Sequence, residues 1–466
     1  MGGGLLQLVA YGAQDVYLTG NPQITFFKVA YRRHTNFAIE AIEQTFNGNA
    51  NYGSRVTCQI SRNGDLIHRI YLQVTLPSNT TDLHYYNYFG LRLLNYVEIE
   101  IGGQKIDKHY AHWLYVWNEL SLPRSKSHGY NLMVGAYGTS NLAGNTLYIP
   151  LEFWFCRNIG LALPLIALQY HEVKININFE SEVNCLYKPT SSNTVASLSK
   201  ASLWVDYIYL DTDERRRFAQ LSHEYLIEQL QFTGTEAISG TGSAKIKLNF
   251  NHPCKELIWF VSNPLSSDSD RLNWCNFTTS RYALGDVGLK GSSTSVNYLG
   301  DTYEKLSGVL RHSEIDYSSL TNNHKAINYM PCNPVSDCKL VLNGNDRFYQ
   351  RSGKYFNLVQ PFQHHTNVPS NAGINVYSFA LKPEEHQPSG TLNMSRIDTA
   401  ILNINFEAAA PNTTRNFDTT NGVITLSALT TPASGYDSSK YNIYVYAVNY
   451  NVLRILSGMG GLAYSN

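Results

Sequence analysis

The strongest constraint on the fold is a repeat that links the two halves of this 466-residue chain. Three strand-like segments of the first half recur in the same order in the second half, and the pairs are "IEIGGQKI" (99–106) with "LVLNGNDR" (340–347), "ININF" (175–179) with "LNINF" (402–406), and "LWVDYIYL" (203–210) with "IYVYAVNY" (443–450). The offsets are 241, 227 and 240 residues, which agree to within the length of a loop. The repeat therefore predicts two copies of one domain, each of about 200 residues.

Apolar and polar residues alternate through much of the chain, as in a β-strand with one buried face. Residues 97–101 alternate in this way up to a Gly-Gly pair at 102–103. Asn-Gly pairs are the strongest short-range signal for a hairpin turn, and they stand at 47–48, 343–344 and 421–422. Helical spacing is confined to a short stretch near 110–120. The sequence therefore predicts an all-β chain.

A β domain of this size with long loops is predicted to be a jelly roll, a sandwich of two antiparallel sheets. We therefore predict a double jelly roll, with two tandem eight-stranded antiparallel β-sandwich domains. The predicted divisions are an N-terminal arm (1–26), a first jelly-roll domain (27–212), a connection (213–224), a second jelly-roll domain (225–450) and a C-terminal tail (451–466). Segments 181–200 and 262–330 are rich in Ser, Thr, Asn and Gly and are predicted to be long surface loops.

Charges cluster around the connection, where Arg215–Arg217 follow Asp211, Asp213 and Glu214. Two interpretations are open, a nucleic-acid patch and local ion pairing in a domain connection. The adjacent acidic residues favour local ion pairing.

Composition favours a protein that makes broad contacts. Charged residues make up 15% of the chain, well below the roughly 25% of typical globular proteins, and tyrosines number 33. These values are typical of a surface used in subunit contacts or of a large Tyr-rich β core, and the two interpretations are compatible. The net charge is zero, which favours neither nucleic acid nor an anionic membrane surface as a direct partner.

The seven cysteines include no Cys-x-x-Cys pair, and the first ten residues lack the basic region of a secretory signal. Both features predict free thiols and a reducing compartment. A bridge between Cys332 and Cys338 across a short loop stays open as an alternative.

The stretch "GLALPLIALQYHEVKININF" (160–179) contains a His-Glu pair beside an apolar run, which raises the question of an acid/base or zinc site. A zinc-protease helix needs a second histidine four residues after the first, but that position is Ile175. Residues 173–179 instead alternate as a strand does. The stretch is therefore predicted to be a loop and strand of the first jelly roll, with His171 and Glu172 as a satisfied polar pair.

Other motifs also fail as catalytic sites. The His-Glu pair at 223–224 lacks a second histidine, and His109-x-x-His112 has no acidic or Cys partner of matching spacing, so a packed amphipathic turn is expected there. A cupin metal site needs two histidines separated by one residue, His-x-His. His364 and His365 are directly adjacent, so they do not match this motif, and they are predicted to lie in a polar loop. The chain has no phosphate loop and no Gly-x-Ser-x-Gly nucleophile elbow. We therefore predict no catalytic residue, no metal and no cofactor.

Four Asn-x-Ser/Thr sequons mark candidate glycosylation sites, and they are Asn79, Asn276, Asn393 and Asn412. They matter only if the chain meets the secretory oligosaccharide machinery, and the sequence shows no signal for that route. A chain this rich in Asn, Ser and Thr also carries several sequons by chance.

Five long segments closely resemble the major capsid proteins of chlorella viruses and related nucleocytoplasmic large icosahedral DNA viruses. They are "LLQLVAYGAQDVYLTGNPQITFFKVAYRRHTNFAIE" (5–40), "GLALPLIALQYHEVKI" (160–175), "VDYIYLDTDERRRFAQLSHEYLIEQLQFTG" (205–234), "YSFALKPEEHQPSG" (377–390) and "NYNVLRILSGMGGLAY" (449–464). The segments span nearly the whole chain and are long and specific, so the chain is identified as a member of this family.

The resemblance implies a double jelly roll whose two domains stand side by side. Three chains would then form a homotrimeric capsomer, a pseudo-hexagonal tile in the outer icosahedral shell of a large double-stranded DNA virus. It also implies a structural protein rather than an enzyme. Assembly would occur in the host cytoplasm over an internal viral membrane, with neighbouring capsomers beside the trimer and minor capsid proteins beneath it. Relatives carry glycans at unusual sites, but the corresponding loops (roughly 125–145 and 262–330) differ here, so no glycan position is transferred.

The arm begins with three glycines, which pack poorly in a strand, and continues with the apolar segment 5–9. Residues 1–26 are therefore expected to lie outside the first jelly roll and to contact the inner side of the shell.

Two other classes of function remain as alternatives. A jelly-roll lectin would require an exposed aromatic platform or a calcium-type carboxylate cluster, whereas Trp154, Trp204 and Trp259 stand in strand-like segments and are expected in the core. An enzymatic jelly roll is opposed by the missing metal motif.

Overall fold

A computed structural model describes residues 3–24, 27–29, 31–78, 84–136, 144–187, 196–238, 242–262, 274–275, 277–278, 333–406, 413–418, 423–428 and 441–464. The chain falls into two compact units, residues 1–38 and 39–466. Of the predicted loop at 181–200, residues 188–195 lie outside the described residues, whereas the described part contains a short helix, Glu182–Cys185, and a short strand, Leu186–Tyr187. Most of the predicted loop at 262–330 lies outside the described residues, and so does Cys332.

The first sandwich is formed by strands from the first half of the chain, which divide between two sheets. Its strands β1 to β11 are Phe37–Gln44, Arg55–Gln59, Leu66–Thr75, His84–Tyr85, Leu94–Ile101, Gln104–Tyr110, Thr146–Pro150, Leu163–Pro164, Val173–Phe179, Leu186–Tyr187 and Lys200–Leu210. One sheet has the order β1-β11-β3-β7, with β8 beside β3, and the other sheet has the order β2-β9-β5-β6. The short strands β4 and β10 pair with each other.

The second sandwich is formed by the second half. Its strands β12 to β25 are His223–Phe232, Glu236–Ile238, Ser243–Lys247, Pro253–Ser262, Val335–Leu342, Asn345–Asp346, Arg351–Ser352, Asn375–Ser378, Leu392–Asn393, Ala400–Phe406, Thr413–Asp418, Val423–Ala428, Tyr441–Leu456 and Met459–Leu462. One sheet has the order β12-β24-β15-β19, and the other has the order β14-β21-β16-β17. Strands β22 and β23 form a separate hairpin.

The two sandwiches have the same strand order, so each strand on one main path has a counterpart in the other sandwich. The three predicted sequence repeats fall on such counterparts. The β5–β6 hairpin corresponds to β16–β17, β9 corresponds to β21, and β11 corresponds to β24. The predicted all-β double jelly roll is therefore confirmed.

Two hairpin turns explain why the glycines of the first repeat are needed. Gly102 and Gly103 between β5 and β6 have φ values of 57° and 86°, and Asn343 and Gly344 between β16 and β17 have φ values of 49° and 81°. Two successive residues with positive φ make the tight turn that matches the twist of paired strands, and Gly or Asn adopts this conformation at low cost.

The helices are short; the first two precede the first strand, and the others lie between strands. Helices α1 to α9 are Gly3–Val9, Val16–Thr19, Phe89–Arg92, Ala111–Ser121, Arg124–Val134, Trp154–Arg157, Glu182–Cys185, Thr212–Gln220 and Gln360–His364, and shorter helical turns lie at Ala13–Asp15, Ile159–Leu161 and Met394–Arg396, with a π-helical turn at Tyr355–Val359. The helix expected near 110–120 is α4, whereas α5 was not predicted. No helix in the described part of the chain is long and apolar enough to span a membrane.

Strand β15 is buried on both of its faces, which explains its nearly continuous apolar sequence. Leu257 and Trp259 point into the second sandwich and join its apolar core. Ile258 and Phe260 point the other way and join the apolar cluster that fills the first sandwich. The core of the first domain therefore continues onto the outer face of a sheet of the second domain.

Two predicted boundaries differ from the ends of the strands and helices. The division at 450 falls inside β24, which continues to Leu456 and pairs with β25. Residues 451–462 are thus part of the second sandwich's sheet, and the expectation of a separate tail there is wrong. The predicted connection at 213–224 is mostly helix α8, and β12 already begins at His223.

Candidate assembly surface

His171 joins the first sandwich to the C-terminal hairpin. Its Nδ1 atom lies 2.9 Å from the carbonyl oxygen of Gly460 and 3.1 Å from the amide nitrogen of the same residue. Glu172 forms an ion pair of 3.2 Å with Lys174. The stretch around these residues consists of a loop, the short strand β8 and strand β9, as predicted. His171 therefore connects two distant segments of the chain, whereas the Glu172 carboxylate is paired locally.

His109 and His112 are separated by the junction between β6 and α4 and do not face a common ligand. The Nε2 atom of His109 lies 2.9 Å from Asp107, a buried partner that the sequence analysis missed. Residues two apart on a strand share a face, which is the signal that could have found it. His112 stacks on Trp274 with 4.4 Å between ring centroids, and burial lowers the pKa of His112 to about 4.

The prediction of a polar loop at 364–365 is wrong, because His364 ends helix α9 and the side chain of His365 is fully buried. Its ring nitrogens lie 2.9 Å from Glu256 and 2.9 Å from Glu384. Burial lowers the pKa of His365, but the two carboxylates more than offset this and raise it to about 9. The charged histidine therefore links β15 to the segment around Glu384.

Two arginines of the predicted connection form ion pairs, one of them local and the other with the distant Asp65, which precedes β3. Arg215 lies 2.8 Å from Asp65, and Arg217 lies 3.2 Å from Glu214. These contacts agree with the ion-pairing interpretation of the cluster.

Of the four candidate glycosylation sites, Asn393 lies among the described residues. It ends β20, is exposed, and accepts a hydrogen bond of 3.1 Å from the amide of Ser395. Asn79, Asn276 and Asn412 lie outside the described residues.

Aromatic side chains pack between the two sandwiches, and this interface within the chain is called the seam. The end of β6 and helix α4 lie against the outer face of the β12-β24-β15 sheet. Tyr110 contacts Phe232 at 5.0 Å, and Trp113 contacts Tyr446 at 5.5 Å between ring centroids. Aromatic side chains bury large areas, so this contact stabilises a fixed arrangement of the two domains.

Charged groups also meet in the seam. Glu228 of β12 lies 3.0 Å from Arg157 of the first sandwich and 2.6 Å from Lys255 of β15. Lys255 is fully buried and lies at a β-bulge, and the Arg157 guanidinium lies 4.1 Å above the Trp117 ring. A Lys-Glu pair inside the apolar strand "CKELIWFV" was the sequence signal for this network, because buried charges require partners.

Further hydrogen bonds across the seam connect helix α4 to the segment that follows helix α9. The amide of Asn367 donates to the carbonyl of Leu120 at 2.9 Å. The amide and hydroxyl of Ser370 donate to Glu119 at 3.1 and 2.6 Å. Burial raises the pKa of Glu119, while the bonds from Ser370 oppose that rise.

A cleft of about 540 Å³ opens along the seam. Its lining includes Arg69 and Arg157 from the first sandwich and Glu228, Glu384 and His386 from the second. Within the described residues, no group of three or more His, Cys, Asp or Glu side chains is placed to hold a metal ion.

Large apolar side chains are exposed in the N-terminal unit, residues 1–38. Helix α1 has no buried residue, and Leu8 is 80% exposed. Such a segment is typical of an interaction site.

The expectation for the three tryptophans holds for two of them. Trp154 and Trp259 are buried, although Trp154 lies in helix α6 rather than a strand. Trp204 is half-buried on the outer face of the β1-β11-β3-β7 sheet, where it is paired with Tyr71 in register. The outward position follows from its place in the period-2 pattern between Leu203 and Val205, both buried.

Two family models together match nearly the whole chain. The model described as the major capsid protein N-terminus matches residues 25–211, and the one described as the large eukaryotic DNA virus major capsid protein matches residues 214–461.

Individual relatives agree with the family models. The major capsid proteins of Pyramimonas orientalis virus, Phaeocystis pouchetii virus and Paramecium bursaria Chlorella virus 1 are 49%, 47% and 44% identical to this chain, and each alignment covers all of both chains.

Solved structures show the same similarity. A chain of the PBCV-1 virus capsid is 40% identical with a TM-score of 0.71, over 95% of this chain and 100% of that one. The Faustovirus major capsid protein, 14% identical with a TM-score of 0.66 over 96% and 94% of the two chains, shares the fold. The chain therefore belongs to the major capsid protein family of large eukaryotic DNA viruses.

Proposed function

We propose that this chain assembles as a homotrimeric, pseudo-hexagonal capsomer that tiles the outer icosahedral shell of a large DNA virus. In this role the chain is a structural protein and carries no catalytic activity. The trimers contact neighbouring capsomers laterally.

One observation carries the proposal, namely that two sandwiches of identical strand order are joined by a buried seam within one chain. A single chain thus presents two similar units in a fixed relation. Three such chains in a closed ring present six similar units, which is the symmetry that a hexagonal lattice requires at each tile.

The arm supports a contact with another layer of the particle. Its exposed leucines require a partner, and we propose minor capsid proteins beneath the shell as that partner. We further propose assembly in the host cytoplasm, with an internal viral membrane nearby and no direct contact with nucleic acid. Asn393 is the described candidate for glycan attachment.

A carbohydrate-binding role is the second candidate function. It is favoured by the aromatic surface around Trp204 and Tyr71, which is the kind of platform that stacks on sugar rings. Glycan binding by the isolated chain, lost on replacement of Trp204 by Ala, would support this role.

The capsomer proposal is tested by native mass measurement on the full chain. We expect three copies of the 52.5 kDa chain and little monomer on dilution, because obligate oligomers often have no stable free subunit. A monomer at micromolar concentration that does not trimerise would contradict the proposal. Negative-stain images should show particles with a three-fold axis and a hexagonal outline.

A further inference from the structure

The seam inside the chain provides a template for the contact between chains. In the first sandwich, helix α4 lies between strands β6 and β7. This helix covers an aromatic surface on the outer face of the second sandwich, where His112 lies 5.2 Å from Tyr444 and 5.8 Å from Phe260 between ring centroids. The contact is heterologous, since a connecting helix of one sandwich meets a sheet of the next.

The second sandwich contains the counterpart of that helix. The helical segment Tyr355–His364 lies between β17 and β19, the counterparts of β6 and β7. One side of it is anchored, because Phe356 and Gln360 are buried. The other side is apolar and exposed, and Phe362 is 79% exposed, with Leu358 beside it at 46%.

The first sandwich contains the counterpart of the covered aromatic surface. In the second sandwich Tyr444 of β24 is paired in register with Phe260 of β15, and in the first Trp204 of β11 is paired in register with Tyr71 of β3. Tyr444 and Trp204 also occupy the same place in the sequence repeat.

The aromatic surface of the first sandwich extends one strand further. Gln73 is paired in register with Tyr148 of β7, so Tyr148 shares the outer face of Tyr71 and Trp204. Tyr148 is 42% exposed, and Trp204 and Tyr71 are half-buried. The surface that is covered within the chain in one sandwich is thus open in the other.

We propose that the exposed side of the 355–364 helix docks onto the Trp204–Tyr71–Tyr148 surface of a second copy of this chain. The contact repeats the internal one, with each sandwich placing its connecting helix on the outer sheet of the next. Alternating internal and intermolecular contacts close a ring of three chains. The proposal rests on the proposed trimer and names its two complementary surfaces.

Two charge substitutions test the proposal, one on each surface. Phe362→Asp and Trp204→Asp should each raise the concentration at which half of the trimer dissociates by roughly 30-fold, the effect of removing an interface hot spot. The matched control is Tyr349→Asp in the second sandwich, because Tyr349 is 84% exposed and lies off the helix. Sedimentation velocity measures the oligomer, and circular dichroism verifies that each variant is folded.

A photo-crosslinking amino acid at position 362 tests the same contact without relying on a destabilising change. After irradiation of the trimer, we expect crosslinked peptides from residues 66–75, 146–150 or 200–210 of another chain. Crosslinks elsewhere, or a trimer unaffected by both Asp variants, would overturn the inference while leaving the trimer in place. A wild-type chain that stays monomeric would overturn the proposed function itself. If oligosaccharide binding requires Trp204 while Trp204→Asp leaves the trimer unchanged, the aromatic surface binds sugar and not a second chain. That result would also overturn the inference.

Discussion

The guanidinium of Arg157 in the first sandwich lies 3.0 Å from the carboxylate of Glu228 in the second. Glu228 also lies 2.6 Å from the fully buried amine of Lys255. One carboxylate thus compensates two cations that come from different halves of the chain. The relation makes the two sandwiches interdependent, since neither half can satisfy this network alone.

Replacing Glu228 with Gln should destabilise the protein by about 3–5 kcal/mol, because it leaves Lys255 buried without a compensating charge. The measurement is urea-induced unfolding, with the free energy of unfolding compared to wild type. The control is Glu224→Gln on the same strand, whose partner Arg454 lies 2.9 Å away in an exposed pair. That pair should contribute less than about 1 kcal/mol. Equal losses in the two variants would contradict a special role for Glu228.

His365 should make stability depend on pH. Its folded pKa of about 9 lies above its ordinary value near 6.5, so its contribution is fully present below pH 6.5 and is lost as pH rises through about 9. The free energy of unfolding should therefore fall between pH 6.5 and 9. The double variant His365→Gln/Glu256→Gln should flatten this dependence, whereas His34→Gln, at an exposed position of the N-terminal unit, should retain it. A dependence that survives the double variant would count against this assignment.

Gly102 should be needed for the contact between His171 and the C-terminal hairpin. A Cβ atom at Gly102 would collide with the His171 ring, whereas one at Gly103 has open space around it. Both glycines have positive φ, so Ala at either position carries a backbone cost of about 1 kcal/mol. Gly102→Ala should therefore lower the melting temperature more than Gly103→Ala. It should also expose the C-terminal hairpin to limited proteolysis. Identical behaviour of the two variants would show that the hairpin does not depend on His171.

The cysteines should be free but unreactive in the native protein. The six described cysteines, Cys338 among them, are free and buried, and burial raises the pKa of Cys58 to about 11 and that of Cys275 to about 12. A thiol reagent at pH 8 should leave these six unmodified in the folded protein. In denaturant without reductant it should find about seven thiols per chain, the full count of the sequence. Finding one thiol would mean three disulfides and an oxidising assembly compartment.

Deleting residues 1–26 should separate folding from assembly. The deleted segment contains helix α1, which has no buried residue, so the β-sandwiches should retain their stability and form trimers. Shell assembly or attachment to underlying proteins should be impaired, as measured by the yield of closed particles. A suitable control replaces Leu5, Leu6 and Leu8 with Ser at full length, which should reproduce the defect if the apolar side chains carry it. Loss of soluble trimer on deletion would show that the arm belongs to the folded core.

The alternation of apolar and polar residues was sufficient to predict the class of fold. The repeat was sufficient to predict which strands of the two halves correspond to each other. Both are local or nearly local signals, because side-chain direction in a strand has period 2 and the repeated segments preserve it. Sequence similarity then determined the family. The absence of a zinc-protease motif at 171–175 was also visible locally, since Ile175 stands where that motif needs histidine.

Contacts between the halves were decided by the tertiary structure. Arg157 and Glu228 are 71 residues apart, and no spacing rule links them. The burial of His365 depends on Glu256 and Glu384 arriving from separate segments. The different fates of Tyr444 and Trp204, equivalent in the repeat, depend on what lies over each sheet. A strand's sequence fixes which side chains share a face, but whether that face meets solvent, a helix or another chain is set by long-range packing.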